Sequence, residues 1–135
     1  LAYQKRLSGP LLDRIDMVVA VSRVPNEQLL LNSLVSPVQH ISSQKSIDLA
    51  RRRQRNRYSN SKKNNSSLSN ADIKKHVPLS TDVHALLNNA ADKLGLSARG
   101  YFKVIKVAQT IADLDGSDNL TTAHISEALQ YRRKA

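Results

Sequence analysis

The sequence contains no cysteine and no tryptophan, and only four of its 135 residues are glycine. Without cysteine, the chain cannot form a disulfide framework or a thiolate metal site. Aromatic residues make up 4% of the chain, so its core must consist mainly of aliphatic side chains, which favours helices. No apolar run approaches the roughly 20 residues that a membrane-spanning helix needs. We therefore expect a soluble, cytoplasmic protein with no membrane partner.

The sequence also lacks a glycine-rich phosphate loop, and no apolar strand ends in the paired acidic residues that hold magnesium in ATPases. The chain therefore cannot bind and hydrolyse ATP unaided, and we predict that it is not an enzyme on its own. His40, His76, His84 and His124 never stand three or four residues apart, so we also predict that it has no metal site.

Positive charge is concentrated in the middle of the chain. The formal net charge is +10, and residues 41–80 carry ten basic and two acidic side chains. A helix is predicted from about Gln44 to Tyr58, and it contains most of the arginines. Basic side chains in such a row can neutralise several phosphates, so the segment is a candidate for contact with DNA. The alternative is a solvated helix face. The candidate residues are Arg51, Arg52, Arg53, Arg55, Arg57, Lys62 and Lys63.

The most strongly patterned stretch is a helix predicted between Ser97 and Gly116. Its apolar residues at 101, 104, 105, 108, 111 and 112 recur every three or four positions, which indicates a core-facing side. Ser97 is a suitable N-cap and Gly116 a suitable left-handed residue after the end. Arg99 in the first turn and Asp113 in the last turn both oppose the helix dipole, so we expect compensation from outside the helix. For Arg99 the compensating group could be a bound anion, and the alternative is a solvated arginine.

The remaining pattern predicts an all-α fold, a small bundle of four main helices. A short helix is expected around 71–75, another between Ser80 and Gly95, and a final one from Thr121 or Thr122. Residues 59–70 are polar and are predicted to form a flexible loop, and residues 26–43 a connector with Pro37 as a breaker. The apolar run 17–21 is typical of a buried parallel strand, but no partner strand follows.

Three separated motifs resemble the magnesium-chelatase-like AAA+ ATPases, and within them the ComM-type proteins of natural transformation. They lie at residues 8–16, at residues 50–58 and between Leu96 and Arg132. The resemblance implies that Arg14 is the arginine finger, which reaches a nucleotide held by a neighbouring subunit. It also implies that Arg99, in the motif with Ser97, is the second-sensor arginine that contacts nucleotide phosphates. The alternative for Arg14 is a simple pairing with the aspartates beside it.

The resemblance also implies a domain organisation and a parent protein. Residues 1–25 would be an irregular remnant of the AAA+ core, 26–43 the connector and 44–135 the helical lid. Because the chain begins with Leu, we expect it to be a piece of a longer protein. That parent would be a homo-hexameric ring that uses ATP and magnesium to move along DNA during recombination. The alternatives are a chelatase motor subunit that drives metal insertion into a porphyrin, and a stand-alone basic helical DNA-binding module.

Overall fold

A computed structural model describes residues 13–23, 25–26 and 37–132 of the chain. The ordered elements of residues 37–132 are five α-helices and one short 3-10 turn, and no strand occurs in the described part of the chain. The predicted all-helical fold is therefore confirmed. The helices are α1 (Pro37–Tyr58), α2 (Asn70–His76), α3 (Thr81–Leu94), α4 (Ala98–Leu114) and α5 (Thr122–Gln130), and the 3-10 turn is Asn65–Ser67.

Helix α4 is the centre of the bundle. It packs against α1, α2, α5 and the 3-10 turn. Its buried face includes Val104, Ile105, Ala108 and Ile111, as the apolar spacing predicts. Burying a large aliphatic side chain contributes about 1.5–3 kcal/mol, so this face is a main source of stability. None of the helices in the described ranges is both long and apolar enough to cross a membrane.

The helix ends follow the predicted capping residues. The Ser97 hydroxyl accepts a hydrogen bond from the Gly100 N–H at 3.0 Å, which caps α4. The Ser80 hydroxyl accepts from the Val83 N–H and caps α3. Gly95 and Gly116 follow α3 and α4 with φ of 59° and 73°, the left-handed conformation that glycine adopts without steric cost.

Helix α1 is longer than predicted. The prediction of a helix that begins near Gln44 is wrong, because α1 begins at Pro37, which was interpreted as a breaker. Proline is tolerated in the first turn of a helix, where its missing N–H has no partner to lose. Ser42 lies inside the helix and its hydroxyl donates to the Gln39 carbonyl at 3.0 Å. Residues 27–36 of the predicted connector lie outside the described residues.

The apolar run 17–21 forms no strand in the structure, which agrees with the irregular N-terminal segment expected where no partner strand is present. Residues 13–23 have no regular secondary structure, and the Val18 N–H donates to the Tyr131 carbonyl at 2.8 Å. A strand needs a neighbouring strand to satisfy its backbone groups, and the described residues supply none. Residues 1–12, which include the first part of the 8–16 motif, lie outside the described part of the chain.

The polar stretch 59–70 contains a structured anchor that sequence polarity did not indicate. Asn65 is 2% exposed and begins the 3-10 turn, and Leu68 is buried in the core. Ser69 and Asp72 then cap α2 reciprocally through their side chains. The stretch therefore packs against the bundle at Asn65 and Leu68, and the prediction of a flexible loop did not include these contacts.

Candidate functional site

A groove of about 840 Å³ lies between residues 14–17 and the outward side of α4. Four basic side chains line it together with apolar residues of α4. They are Arg14, Arg99, Lys103 and Lys106. Arg14 and Arg99 are both exposed, so the two arginines singled out from the sequence face one solvent-filled space. The groove therefore brings together two residues that are 85 positions apart in the chain.

Arg14 does not pair with the aspartates beside it. Asp16 forms an ion pair with Lys103 at 2.5 Å, and Asp13 lies 3.7 Å from a terminal nitrogen of Arg132. Among the described residues, the Arg14 guanidinium has no ion-pair or hydrogen-bond partner of its own. The alternative interpretation, in which Arg14 only neutralises Asp13 and Asp16, does not match this geometry.

Arg99 lies in the first turn of α4, the end of the helix whose free N–H groups favour an anion. Its side chain is exposed and has no ion pair within the described residues. Ser97 is absent from the groove lining, because its hydroxyl is used to cap α4. The structure thus places Ser97 as the residue that sets where the Arg99 helix begins.

The 13–18 segment is attached to the bundle by two basic side chains that sequence reasoning did not select. The Lys103 ammonium donates to the Arg14 carbonyl as well as to Asp16. The Arg132 guanidinium donates to the Ile15 carbonyl at 3.0 Å. The sequence did contain one indication of the role of Lys103. It stands four residues after Arg99, a spacing that places both side chains on one face of a helix.

Gly100 gives the Arg132 side chain close access to the first turn of α4. A Cβ at residue 100 would lie 3.1 Å from Nη2 of Arg132, closer than most real Cβ contacts. The glycine after Arg99 therefore lets the Arg132 side chain pass over the first turn of α4.

The basic residues of α1 fall into two groups. Arg53 pairs with Asp118 at 2.6 Å and also donates to the Gly116 carbonyl, and Arg57 pairs with Asp113. Arg53 and Arg57 are thus used inside the domain, and Lys63 pairs with Asp72 at 2.7 Å. Three of the seven residues predicted to contact DNA therefore have acidic partners within the domain, and the DNA contact itself stays a prediction. The four other members of the predicted set, Arg51, Arg52, Arg55 and Lys62, are exposed and have no acidic partner in the described ranges.

A buried polar network joins α1 to α4 around Asp113. Both terminal nitrogens of Arg57 donate to its carboxylate, one of them at 3.0 Å, and the Asn65 amide donates at 2.9 Å. The Asn65 amide also donates to Thr110 at 3.0 Å, and its carbonyl oxygen accepts from the Tyr58 hydroxyl at 2.5 Å. The hydrogen bond to Asp113 raises the pKa of Arg57, and burial raises the pKa of Tyr58. This network supplies the compensation expected for Asp113 in the last turn of α4.

No group of three or more histidine, aspartate or glutamate side chains within residues 13–23 and 37–132 is arranged to hold a metal ion. The groove itself contains two acidic residues, Asp16 and Glu127, and Asp16 is already paired with Lys103. Its basic lining suits an anion with several oxygens, such as a phosphate chain, because guanidinium groups stay charged and bind two oxygens at once.

Comparisons with known proteins agree with the three motifs. Residues 40–132 match the family described as magnesium chelatase, subunit ChlI C-terminal, and residues 1–29 match magnesium chelatase, subunit ChlI. The uncharacterized protein YifB of Escherichia coli (strain K12) is 34% identical over 132 residues, which cover 98% of this chain. Competence protein ComM of Haemophilus influenzae is 33% identical over 135 residues, with 96% of this chain covered.

Each alignment covers 25% of the relative, so the chain spans about a quarter of the length of the curated relatives it matches. The family match covers more than half of this chain and includes α1 to α5. The resemblance identified from the sequence motifs is thereby confirmed. This chain belongs to the magnesium chelatase ChlI family and corresponds to its C-terminal region.

Proposed function

We propose that this chain is the nucleotide-sensing C-terminal lid of a ComM-like AAA+ ATPase, in which Arg14 and Arg99 contact the phosphates of one bound ATP. The observation that carries the proposal is that these two guanidinium groups line the same groove, and that neither has an internal partner among the described residues. A guanidinium without an internal counter-charge is suited to receive an external anion.

The groove supplies basic groups for the phosphate end of a nucleotide. Arg14 and Arg99 supply permanent positive charge that can stabilise charge developing on a γ-phosphoryl group during its transfer. ATP with its magnesium supplies the phosphoanhydride bond whose hydrolysis drives the motor. The groove offers no pair of free carboxylates that could hold magnesium, because Asp16 already forms an ion pair with Lys103. The ion and the phosphate loop therefore belong to another part of the assembly in this proposal.

The shared groove indicates which subunit holds the nucleotide that Arg99 contacts. An arginine finger acts on a nucleotide held by a neighbouring subunit. Because Arg14 and Arg99 of one chain line one groove, we propose that Arg99 also acts in trans, on the nucleotide that Arg14 contacts. The family resemblance left open whether Arg99 acts within its own subunit.

The first test is mutational, in the ring ATPase that carries this chain. Arg14→Ala and Arg99→Ala should each abolish most ATP turnover while nucleotide binding remains largely intact. Lys93→Ala is the matched control, because Lys93 is an exposed basic residue in the last turn of α3 that does not line the groove. Wild-type turnover in the Arg14→Ala protein would refute the finger assignment.

Mixed rings test the trans arrangement. Subunits that carry Arg14→Ala and Arg99→Ala together are mixed with subunits that keep both arginines but cannot bind nucleotide. If both arginines act in trans, the interface between the two kinds of subunit is complete and turnover returns. If Arg99 acts in cis, the nucleotide-binding subunit lacks it and turnover stays absent.

We propose DNA as the track of this motor, as the resemblance to the ComM-type proteins of natural transformation implies. The supporting observation is the exposed basic surface of Arg51, Arg52, Arg55 and Lys62, which has no acidic partner in the described residues. A chelatase motor, which the family description suggests, would share the nucleotide groove and have no use for this surface.

Fluorescence anisotropy with duplex DNA over a salt series separates these two roles. Each lost phosphate contact should reduce the slope of log affinity against log salt by about 0.9. The Arg51→Ala, Arg52→Ala, Arg55→Ala triple variant should therefore lose up to roughly 2.7 from that slope. An unchanged slope, or no binding at low salt, would refute DNA contact by this surface. The chain alone should release no phosphate from ATP, and steady release from pure material would overturn the assignment as a lid.

A further inference from the structure

We propose that Lys103 and Arg132 are positioning residues that hold the backbone on both sides of Arg14 against the lid. The contacts are read directly from the structure, whereas their consequence for ATP turnover rests on the proposed function. Neither residue need contact the nucleotide for this role. Each acts through Arg14, by setting where the Arg14 backbone lies relative to Arg99.

The two basic side chains contact four consecutive residues. Lys103 donates to the Arg14 carbonyl and pairs with Asp16, and Arg132 donates to the Ile15 carbonyl and lies 3.7 Å from Asp13. Asp13 and Asp16 lie on either side of Arg14, so the two basic side chains hold both ends of the 13–16 stretch. These contacts engage the Arg14 backbone and not its side chain, which lines the groove.

Burial indicates that these contacts are more than surface ion pairs. The side chains of Lys103 and Arg132 are each only 12% exposed. A fully exposed pair is strongly screened by water and contributes little to structure. Here each charged group also donates to a backbone carbonyl, a hydrogen bond that a charged donor strengthens. The 13–16 stretch is therefore attached through its main chain, which constrains Arg14 directly.

Both positioning residues meet the helix turn that carries Arg99. Lys103 lies one turn after Arg99 on α4, a rise of about 6 Å. Arg132 passes over Gly100, the residue that follows Arg99, and a Cβ there would lie only 3.1 Å from its Nη2. A displacement of α4 thus moves Arg99 and the anchor points of Arg14 together. We infer that the lid carries its two nucleotide-contacting arginines as one unit.

Amide hydrogen exchange on the chain itself tests the attachment. The Val18 N–H, bonded to the Tyr131 carbonyl, reports whether the 13–18 segment lies on the bundle. Lys103→Met keeps the aliphatic stem but removes both contacts, and it should lower the protection of this amide about tenfold. Lys103→Arg should preserve it, since arginine can make the same contacts. Lys106→Met is the matched control, because Lys106 donates to the Ser66 carbonyl and not to residues 13–16.

Two further variants keep the test independent of folding defects at Lys103. Asp16→Asn removes only the partner charge from an exposed side chain, and Arg132→Met removes the second anchor. Both should lower Val18 protection while far-UV circular dichroism stays that of the wild type. Protection within twofold of wild type in Lys103→Met and Arg132→Met would overturn the attachment.

Steady-state kinetics of the ring ATPase that carries this chain test the positioning role. Lys103→Met should lower kcat by about 10-fold to 100-fold, the cost of misplacing a catalytic group by around 1 Å. KM for ATP should change less than about threefold, and Lys103→Arg should restore kcat. Lost Val18 protection with unchanged kcat would overturn the positioning role. Wild-type turnover of Arg14→Ala would refute the proposed function and the positioning role with it, while the attachment would still stand on the exchange data.

Discussion

Arg57→Ala should be among the most destabilising single changes in this domain. It removes the main counter-charge of Asp113, whose side chain is 0% exposed, while Arg57 itself is 18% exposed. Breaking a buried ion pair from one side typically costs about 3–5 kcal/mol, because the other charge stays buried. Asp113 keeps two weaker donors, Asn65 at 2.9 Å and Gln109 at 3.4 Å, which favours the lower end, about 3 kcal/mol. For a domain of about 100 residues, that loss lowers the melting temperature by roughly 12–24 °C.

Urea unfolding followed by circular dichroism measures this free energy. The control is Arg55→Ala, an exposed arginine two residues earlier on the same helix, which should change stability by less than about 0.5 kcal/mol. The Arg57→Met, Asp113→Leu double variant should recover most of the loss, since no charge is then left buried. A cost below about 1 kcal/mol for Arg57→Ala would show that the pair behaves as a surface ion pair and would refute its role in joining α1 to α4.

Two further predictions concern neighbouring parts of the structure. Gly100→Ala adds a Cβ 3.1 Å from Nη2 of Arg132, so the protection of the Val18 amide should fall. Alanine also favours the helix by up to about 1 kcal/mol. Hydrogen exchange measures the first effect and melting curves measure the second. Burial raises the pKa of Tyr58 above 10.0, so its contribution to stability is complete below pH 10 and is lost as pH rises through the folded-state pKa. Tyr58→Phe should therefore show a flatter decline of unfolding free energy as the pH rises above 10, at the cost of an unpaired Asn65 oxygen.

The helices were predictable because their signals are local. Ser97, Gly95 and Gly116 act at the ends of α3 and α4, where a side-chain hydroxyl or a left-handed glycine satisfies terminal backbone groups. The core face of α4 follows from the 3.6-residue period alone. The early start of α1 was missed because proline has two opposite effects, breaking a helix interior and favouring a first turn.

The candidate site was only partly predictable, because charge alone does not show which partner a side chain has. Arg53, Arg55 and Arg57 look alike in the sequence, yet two of them bind groups near the end of α4 and one is exposed. Their partners, Asp118 and Asp113, are more than 50 residues away. The helical period places Arg55 on a different side of α1 from Arg53 and Arg57. Only the packing of α4 against α1 shows which side of α1 contacts acidic residues.

The proposed nucleotide contact and the proposed DNA contact are attached to opposite ends of one helix. Arg99 lies in the first turn of α4 and Asp113 in its last, about 21 Å apart along the axis. Arg57 joins Asp113 to α1, the helix that carries the exposed arginines, with a contact that is largely buried. A helix packed on several sides moves as a rigid body, and α4 contacts α1, α2, α5 and the 3-10 turn. Under the proposed function, movement of the lid on a change of nucleotide would displace the basic surface of α1 as well, since α1 packs directly against α4. Under the proposed function, this packing is the physical route by which ATP hydrolysis at the site of Arg14 and Arg99 would move a bound DNA strand.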